Sequence, residues 1–496
     1  MRKLLKILLI LLGSSLAYAH VGSANVYFEG DAGPYHLFVD VRLPQVIPGV
    51  AEIHVRSASP EVQSVQVMPL RLTGLGSKLP PAPDTAKRSK DDPQFFVGEL
   101  WLLEFGAMQV RINVDGTKGK AELSIPVASF ARQSLPMGRG LRGMLLSFLF
   151  LLVVGGILIA GVVVRDSTVA PGKTPTSSNR RRAWIAVGVT SVLVVLVVYR
   201  GRASMNVEAD TYERNIDLLK PPRAEATLVD GNRLLVRPAA PLKVPVAGQG
   251  ATSSEIKMAE VIPDHGHLMH LFLIGTPGME KMWHLHPERT GDGGFSERLP
   301  AMPAGEYQVF ADIVDKNGFP WTLVGKVQLP QITGTVATDD DSNWEGTRMA
   351  APFPESAEAP LPNGARMVWE REVASMKANV PARFNFRVEE KDGSPAHDME
   401  PYMGMAAHAQ IVSSDLSVFA HIHPSGSISM AALDLAHEGM ESSAGMAMPM
   451  ENAPHTLMPA RVSFFYGFPH PGEYRIFVQI KRSVQVQTAA FDAHVE

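Results

Sequence analysis

Two groups of residues recur in the same order in the second half of the chain, and both are rich in imidazole. The first contains His265-Gly266-His267-Leu268-Met269-His270, then Trp283-His284-Leu285-His286-Pro287, then Pro303-Ala304-Gly305-Glu306-Tyr307. The second contains Met403-Gly404-Met405-Ala406-Ala407-His408, then Ala420-His421-Ile422-His423-Pro424, then His470-Pro471-Gly472-Glu473-Tyr474. Several residue types keep one order, as expected of an internal duplication. Of the 16 histidines, 13 follow Asp264. Met403 and Met405 stand where the first copy has His265 and His267, with the intervening glycine kept. Imidazole and thioether share one chemistry: both ligate copper, thioether favouring Cu(I), whereas neither suits Mg²⁺ or Ca²⁺. Other soft or borderline transition metals fit the same donors.

Elements must bring these donors together. In an extended segment residues i and i+2 face the same way, so Met282, His284 and His286 share a face, as do Phe419, His421 and His423. A tight turn at Ser414-Asp415 would set Ser413 against Leu416 and His408 against His421, with opposed Cβ atoms about 5 Å apart. A turn at Pro277-Gly278 would bring His270 beside His284 and His286, in a register open to a one-residue slip that would turn side chains to the other face. The expected metal ligands are therefore His265, His267, His270, His284 and His286 in one copy, and Met403, Met405, His408, His421 and His423 in the other. Met282 and the thioethers Met446, Met448 and Met450 are weaker candidates. No catalytic or organic-cofactor residue is assigned.

Composition narrows the chemistry further. With no cysteine among 496 residues, disulfides, Fe–S clusters, c-type haem attachment and Cys-ligated copper are excluded. A net charge of -4 provides no broad basic surface for nucleic acid.

Residues 1–19 read as a signal peptide, with Arg2, Lys3 and Lys6, an apolar run, and Ala17-Tyr18-Ala19 as a cleavage site. Cleavage would leave His20 first, its α-amine and imidazole able to chelate Cu(II) as in copper carriers of the CopC type. Residues 20–135 alternate polar and apolar residues in short runs, as in an Ig-like β-sandwich. A transmembrane hairpin is expected within 141–200, its helices at 144–164 and 183–199. Gly156 and Ala160 are spaced for close helix approach. The connecting loop carries Arg165, Lys173, Arg180, Arg181 and Arg182, which places it in the cytoplasm and the flanking domains outside. A first His-rich β domain is expected over 205–330, a linker over 331–365, and a second His/Met-rich β domain over 366–496 with a Met-rich loop at 430–458. The fold class is mainly β: three Ig-like or cupredoxin-like sandwiches plus the helical hairpin.

The second copy, Tyr402-Met403-Gly404-Met405 through His408 and His421-Ile422-His423-Pro424-Ser425-Gly426, resembles YtkA-like and FixH-like exported domains; residues 33–56 resemble the same superfamily more loosely. The resemblance implies small β-sandwiches that handle copper or assist oxidase assembly. Together these features lead to an expected copper carrier, buffer or metallation factor in the bacterial inner membrane with its bulk in the periplasm, its partners a metal ion, the lipid bilayer, and a copper-dependent membrane oxidase or copper exporter. Two alternatives remain: a cupin-like or copper-monooxygenase-like metalloenzyme subunit, and an assembly scaffold without metal.

Overall fold

A computed structural model describes residues 20–21, 25–218, 220–245, 253–337, 339–349, 357–371, 375–438 and 457–496. The expected signal peptide and Met446, Met448 and Met450 lie outside these residues. The chain is mostly β, in three sandwich domains joined by a helical hairpin.

The first sandwich packs a five-stranded sheet on a four-stranded one. Its strand Tyr35–Arg42 shows the expected alternation, with Tyr35, Leu37, Val39 and Val41 fully buried. Two helices follow, α1 (Arg139–Asp166) and α2 (Ser177–Leu218), each long and apolar enough to cross a membrane. Gly161 rather than Gly156 makes the close approach: a Cβ on Gly161 would lie 2.7 Å from Val187, whereas one on Gly156 would meet nothing. The second helix also runs 19 residues past the expected end at 199. Residues 200–218 contain no proline and several good helix formers, and the helix stops only before Pro221-Pro222. At this far end Tyr212 accepts a hydrogen bond from Ile47 N–H (3.1 Å) and packs edge-on to Phe105, fixing the helix to the first sandwich.

The second and third sandwiches carry the duplication. In each, a strand led by histidine lies between two others: His270–Gly275 between Lys281–Leu285 and Gly305–Asp315, and His408–Ser413 between Val418–Ile422 and Gly472–Arg482. Both central strands are buried at every position. Leu271 and Leu273 fill their own domain's core, as Ala409 and Ile411 do theirs. The alternate faces meet each other: Phe272, Ile274, Met282 and Phe310 pack against Val412, Phe419 and Phe477 in one apolar cluster. The outer faces of the two sheets thus cover one another, which explains why these strands read as nearly continuous apolar runs.

Two expected boundaries are corrected. The presumed linker contains the strand Ser342–Glu345, which pairs with Lys281–Leu285, and the third domain begins with the strand Glu358–Pro360. The start of the presumed Met-rich loop is helix α3 (Met430–His437), capped by Ser429 Oγ. Met430 and Leu433 join the core of the first sandwich.

Candidate metal centre

Two glycine turns bring the domains together. His265 and Gly266 have φ of 51° and 84°, Met403 and Gly404 of 49° and 78°, and each pair is closed by backbone hydrogen bonds between its flanking residues. Positive φ at both central positions is the two-residue hairpin turn that favours glycine, so the glycine repeated at Gly266 and Gly404 serves backbone geometry. His265 projects from its turn toward the other domain, its ring 4.8 Å from that of His408 and 4.7 Å from that of His423.

Two sets of three imidazoles result, in each of which one ligand atom per residue lies within 4.8 Å of the others: His270, His284 and His286, and His265, His408 and His423. The first set is the one expected from its hairpin, whose register puts Phe272 opposite His284 and hence His270 on the face of His284 and His286. The second set crosses the domain boundary. Its hairpin pairs Gln410 with His421 and Ala409 with Ile422, so His408 opposes His423 and not His421. The reason is a longer loop: Asp415 accepts from Ser413 Oγ, Ser417 N–H and Ser417 Oγ, and Ser413 Oγ accepts from Val418 N–H. A shift of two residues keeps every side chain on its expected face.

Hydrogen bonding fixes which nitrogen carries the proton in five of the six rings of these sets. His270 Nε2 donates to the Asp264 carbonyl (3.1 Å), His284 Nδ1 to Gln479 Oε1 (2.9 Å), and His286 Nδ1 to Asp341 Oδ1 (2.9 Å). His265 Nδ1 donates to the Met403 carbonyl (3.0 Å) and His423 Nδ1 to the Ile428 carbonyl (3.0 Å). Each ring is left with one bare lone pair. His270 Nδ1 and His284 Nε2 sit 3.1 Å apart, two lone pairs facing each other, an arrangement that a cation between them would relieve. The nitrogens His265 Nε2, His286 Nε2, His421 Nε2, His423 Nε2 and both of His408 are buried without a partner. Such orphaned groups are rare and costly in a folded interior. Burial, reinforced by the neighbouring imidazoles, pushes the pKa of His270, His284, His408, His421 and His423 well below the usual histidine range, and that of His286 to about 3. All six are neutral and ready to ligate at neutral pH.

The remaining candidates fall around these sets. His267 stacks on His286 (3.9 Å) and bonds Asp340 Oδ2 (3.3 Å). His421 lies between the sets, its ring 5.2 Å from His270, 5.6 Å from His408 and 4.7 Å from His423. Met282 is on the expected face but belongs to the apolar cluster between the sheets, and Met405 is buried in the core of the first sandwich. Met403 contributes its carbonyl to His265. His20 and Val21 pair in parallel with Val418 and Phe419, and the His20 side chain lies outside the described residues.

Sequence reasoning missed the residues that orient the rings. Asp340 and Asp341 lie in the presumed linker, where the run Asp339-Asp340-Asp341 beside Trp344 was the available signal. Tyr402 donates to the Asp340 carbonyl (2.8 Å) and sits 3.2 Å from His284 Nδ1. Gln479 comes from a third strand.

Residues 363–496 match the family model of a domain of unknown function, DUF8832. The match covers the third sandwich, and therefore His408, His421 and His423, but not the second. No curated protein matches the chain. Among solved structures, the chain is similar to a tetra-tandem repeat from the extending region of a large adhesion protein, at 10% identity and a TM-score of 0.16, over 92% of this chain and 73% of that one. A 1.5-MDa bacterial ice-binding adhesin aligns at 6% identity and a TM-score of 0.14, over 90% and 91%. Escherichia coli alpha-2-macroglobulin aligns at 10% identity and a TM-score of 0.14, over 92% of this chain and 24% of that one. Likenesses this loose carry no argument about function.

Proposed function

We propose that this chain is a membrane-anchored copper-binding protein that holds a pair of ions where its two duplicated domains meet, one within the second sandwich and one across the boundary, serving as a carrier, buffer or metallation factor. The observation that carries the reading is the set of buried, neutral imidazoles with oriented and unpartnered nitrogens. Carbonyl and carboxylate acceptors on the far side of ligating rings are the usual outer support of a metal site. Imidazole suits copper, zinc, iron and nickel, and copper is favoured by the resemblance to YtkA-like and FixH-like domains.

Anchoring rests on α1 and α2, whose apolar side chains are exposed along both helices. The basic residues between them support a cytoplasmic loop, hence a location in the bacterial inner membrane with the sandwiches in the periplasm. A copper-dependent membrane oxidase or a copper exporter would then be the partner.

The test is elemental analysis and X-ray absorption on the full-length protein extracted from its membrane, with competition titration after metal removal. About two copper ions per chain, with imidazole scattering and affinity tighter than micromolar, are expected. His265→Ala should lower the content to about one. Zinc alone, no metal, or weaker binding would refute the copper assignment. A metalloenzyme is the second reading, favoured by one observation: three protein ligands per ion leave coordination positions open, and a cavity reaches the cluster.

A further inference from the structure

A cleft of about 1460 Å³ lies among the three sandwiches. Its mouth includes Pro221, Arg223, Glu225 and Lys326, all exposed, and its inner end is lined by His270, His421 and His423. His270 belongs to the first three-histidine set and His423 to the second, so a single space touches both. Asp312 stands at this inner end. It is the register partner of His270 on the neighbouring strand, so the two side chains leave the same face of the sheet. That face is turned to the third sandwich, because Phe272 and Phe310, two residues along the same strands, pack in the apolar cluster between the sheets. Thr322 donates to Asp312 Oδ1, and Asp312 Oδ2 faces His421 Nδ1 at 3.7 Å, too long for a hydrogen bond. The Asp312 side chain is 22% exposed and that of His421 only 6%, so the carboxylate is the donor that solvent reaches first. Among the described residues His421 Nε2 is buried without a partner. His421 belongs to neither set, yet its ring lies 5.2 Å from that of His270 and 4.7 Å from that of His423.

We propose that Asp312 and His421 form a third ion position, a transfer site that takes an ion from the cleft and passes it to both three-histidine sets. The proposal rests on the copper reading above and adds the route of the ion. Metal bonds of about 2 Å to Oδ2 and to Nδ1 span such a gap. One carboxylate oxygen and one imidazole nitrogen, with water in the other positions, suit Cu(II). They grip it less firmly than three imidazoles do, so passage to either set runs downhill. Passage is ligand exchange: the bond to Asp312 Oδ2 breaks as a bond to a nitrogen of His270 or His423 forms, bound water is released, and the oxidation state of the ion is unchanged.

The experiment uses detergent-solubilised full-length protein, stripped of metal and mixed rapidly with glycine-buffered Cu(II). Uptake is followed by quenching of tryptophan fluorescence, and the final content is measured by elemental analysis. Asp312→Asn, which keeps the shape of the side chain, and His421→Gln, in the other domain, are each expected to slow uptake about tenfold. Both should reach the copper content of the unaltered protein, which also shows that they are folded. The double variant should be no slower than either single one, because the two residues act as one site. An unaltered rate in either single variant would overturn the transfer site while leaving the copper reading intact. So would a lower final content in His421→Gln, which would make His421 a resident ligand. Failure of the unaltered protein to take up copper would overturn both.

Discussion

Lowering the pH from about 7.5 to 5.5 should destabilise the metal-free protein through its buried histidines. His270, His284, His286, His408, His421 and His423 all have pKa values pushed down, chiefly by burial, with His286 at about 3. Because the folded values lie below that of the unfolded chain, about 6.5, unfolding takes up protons in acid. The stability is whole above that pH and is lost as pH falls toward the folded values. At pH 5.5, about one unit below the unfolded value, each such group costs on the order of 1 kcal/mol. Six would cost several kcal/mol, a large share of the stability of a typical domain. His437, lowered by burial, adds in the same direction. His36, raised mainly by its hydrogen bond to Glu29, and His54, raised mainly by Asp40, oppose it with stability that is present in acid and fades as pH rises, and so do Asp312 and Glu297, whose carboxyls burial pushes up to about 7, and Asp341, pushed up to about 6. The assay is urea unfolding of chelator-treated full-length protein, followed by tryptophan fluorescence at both pH values. His408→Gln with His421→Gln should flatten the dependence by about two protons. Equal midpoints at the two pH values, or a slope the double variant leaves unchanged, would refute the reasoning.

Other outcomes follow from individual contacts. Gln479→Leu removes the acceptor of His284 Nδ1 and of Gln410 Nε2, both at 2.9 Å, and should weaken metal binding at the first set by about 10- to 100-fold in a competition titration, leaving the second set intact. Phe419→Ala deletes a ring stacked on Phe310 at 4.3 Å and 5.1 Å from Phe272; a loss of about 3–5 kcal/mol in denaturant unfolding is expected. At Gly426, φ is +115° and a Cβ would lie 2.0 Å from the Tyr27 carbonyl oxygen. Gly426→Ala should lower the melting temperature and loosen the first sandwich from the third, read as faster proteolysis between them.

The fold class was legible because its signals are local. Alternation in Tyr35–Arg42 and the apolar runs of α1 and α2 each depend on neighbours within one element. The facing of the histidines was legible for the same reason, since a period of two survives a two-residue error of register. The register of Gln410 against His421 was not, because it is set by a longer loop that the side chains of Ser413, Asp415 and Ser417 hold together. Nor was the recruitment of His265 by the other domain. Spacing within a hairpin says nothing about a ligand delivered across an interface, and the methionines that suggested sulfur ligation are occupied otherwise: Met405 is core, and Met403 shapes a turn.

That interface explains why such a site can exist before any ion arrives. Exposed on a lone sandwich, the strand faces bearing His270 and His408 would present polar rings to water at little cost. Covered by a second sandwich, the same rings lose their solvent, and each unpartnered nitrogen works against the association. The stacked contacts of Phe272, Phe310 and Phe419 beside the histidines supply adhesion that does not depend on metal. So does Arg475, which forms a bidentate pair with Asp492 and donates to the carbonyls of Met279 and Thr347 in or beside the second domain. The apolar and guanidinium contacts hold the sheets together while the imidazoles stay unsatisfied, so the donors are set in place by the protein and need little reorganisation when the ion binds. Weakening those contacts should therefore reduce metal affinity even where every ligand is retained. Arg475→Met, which removes the staple and touches no histidine, is expected to loosen both three-histidine sets but the second more, because only that set spans the boundary. Equal metal affinities for Arg475→Met and the unaltered protein would show that the histidines, not the surrounding contacts, hold the domains in register.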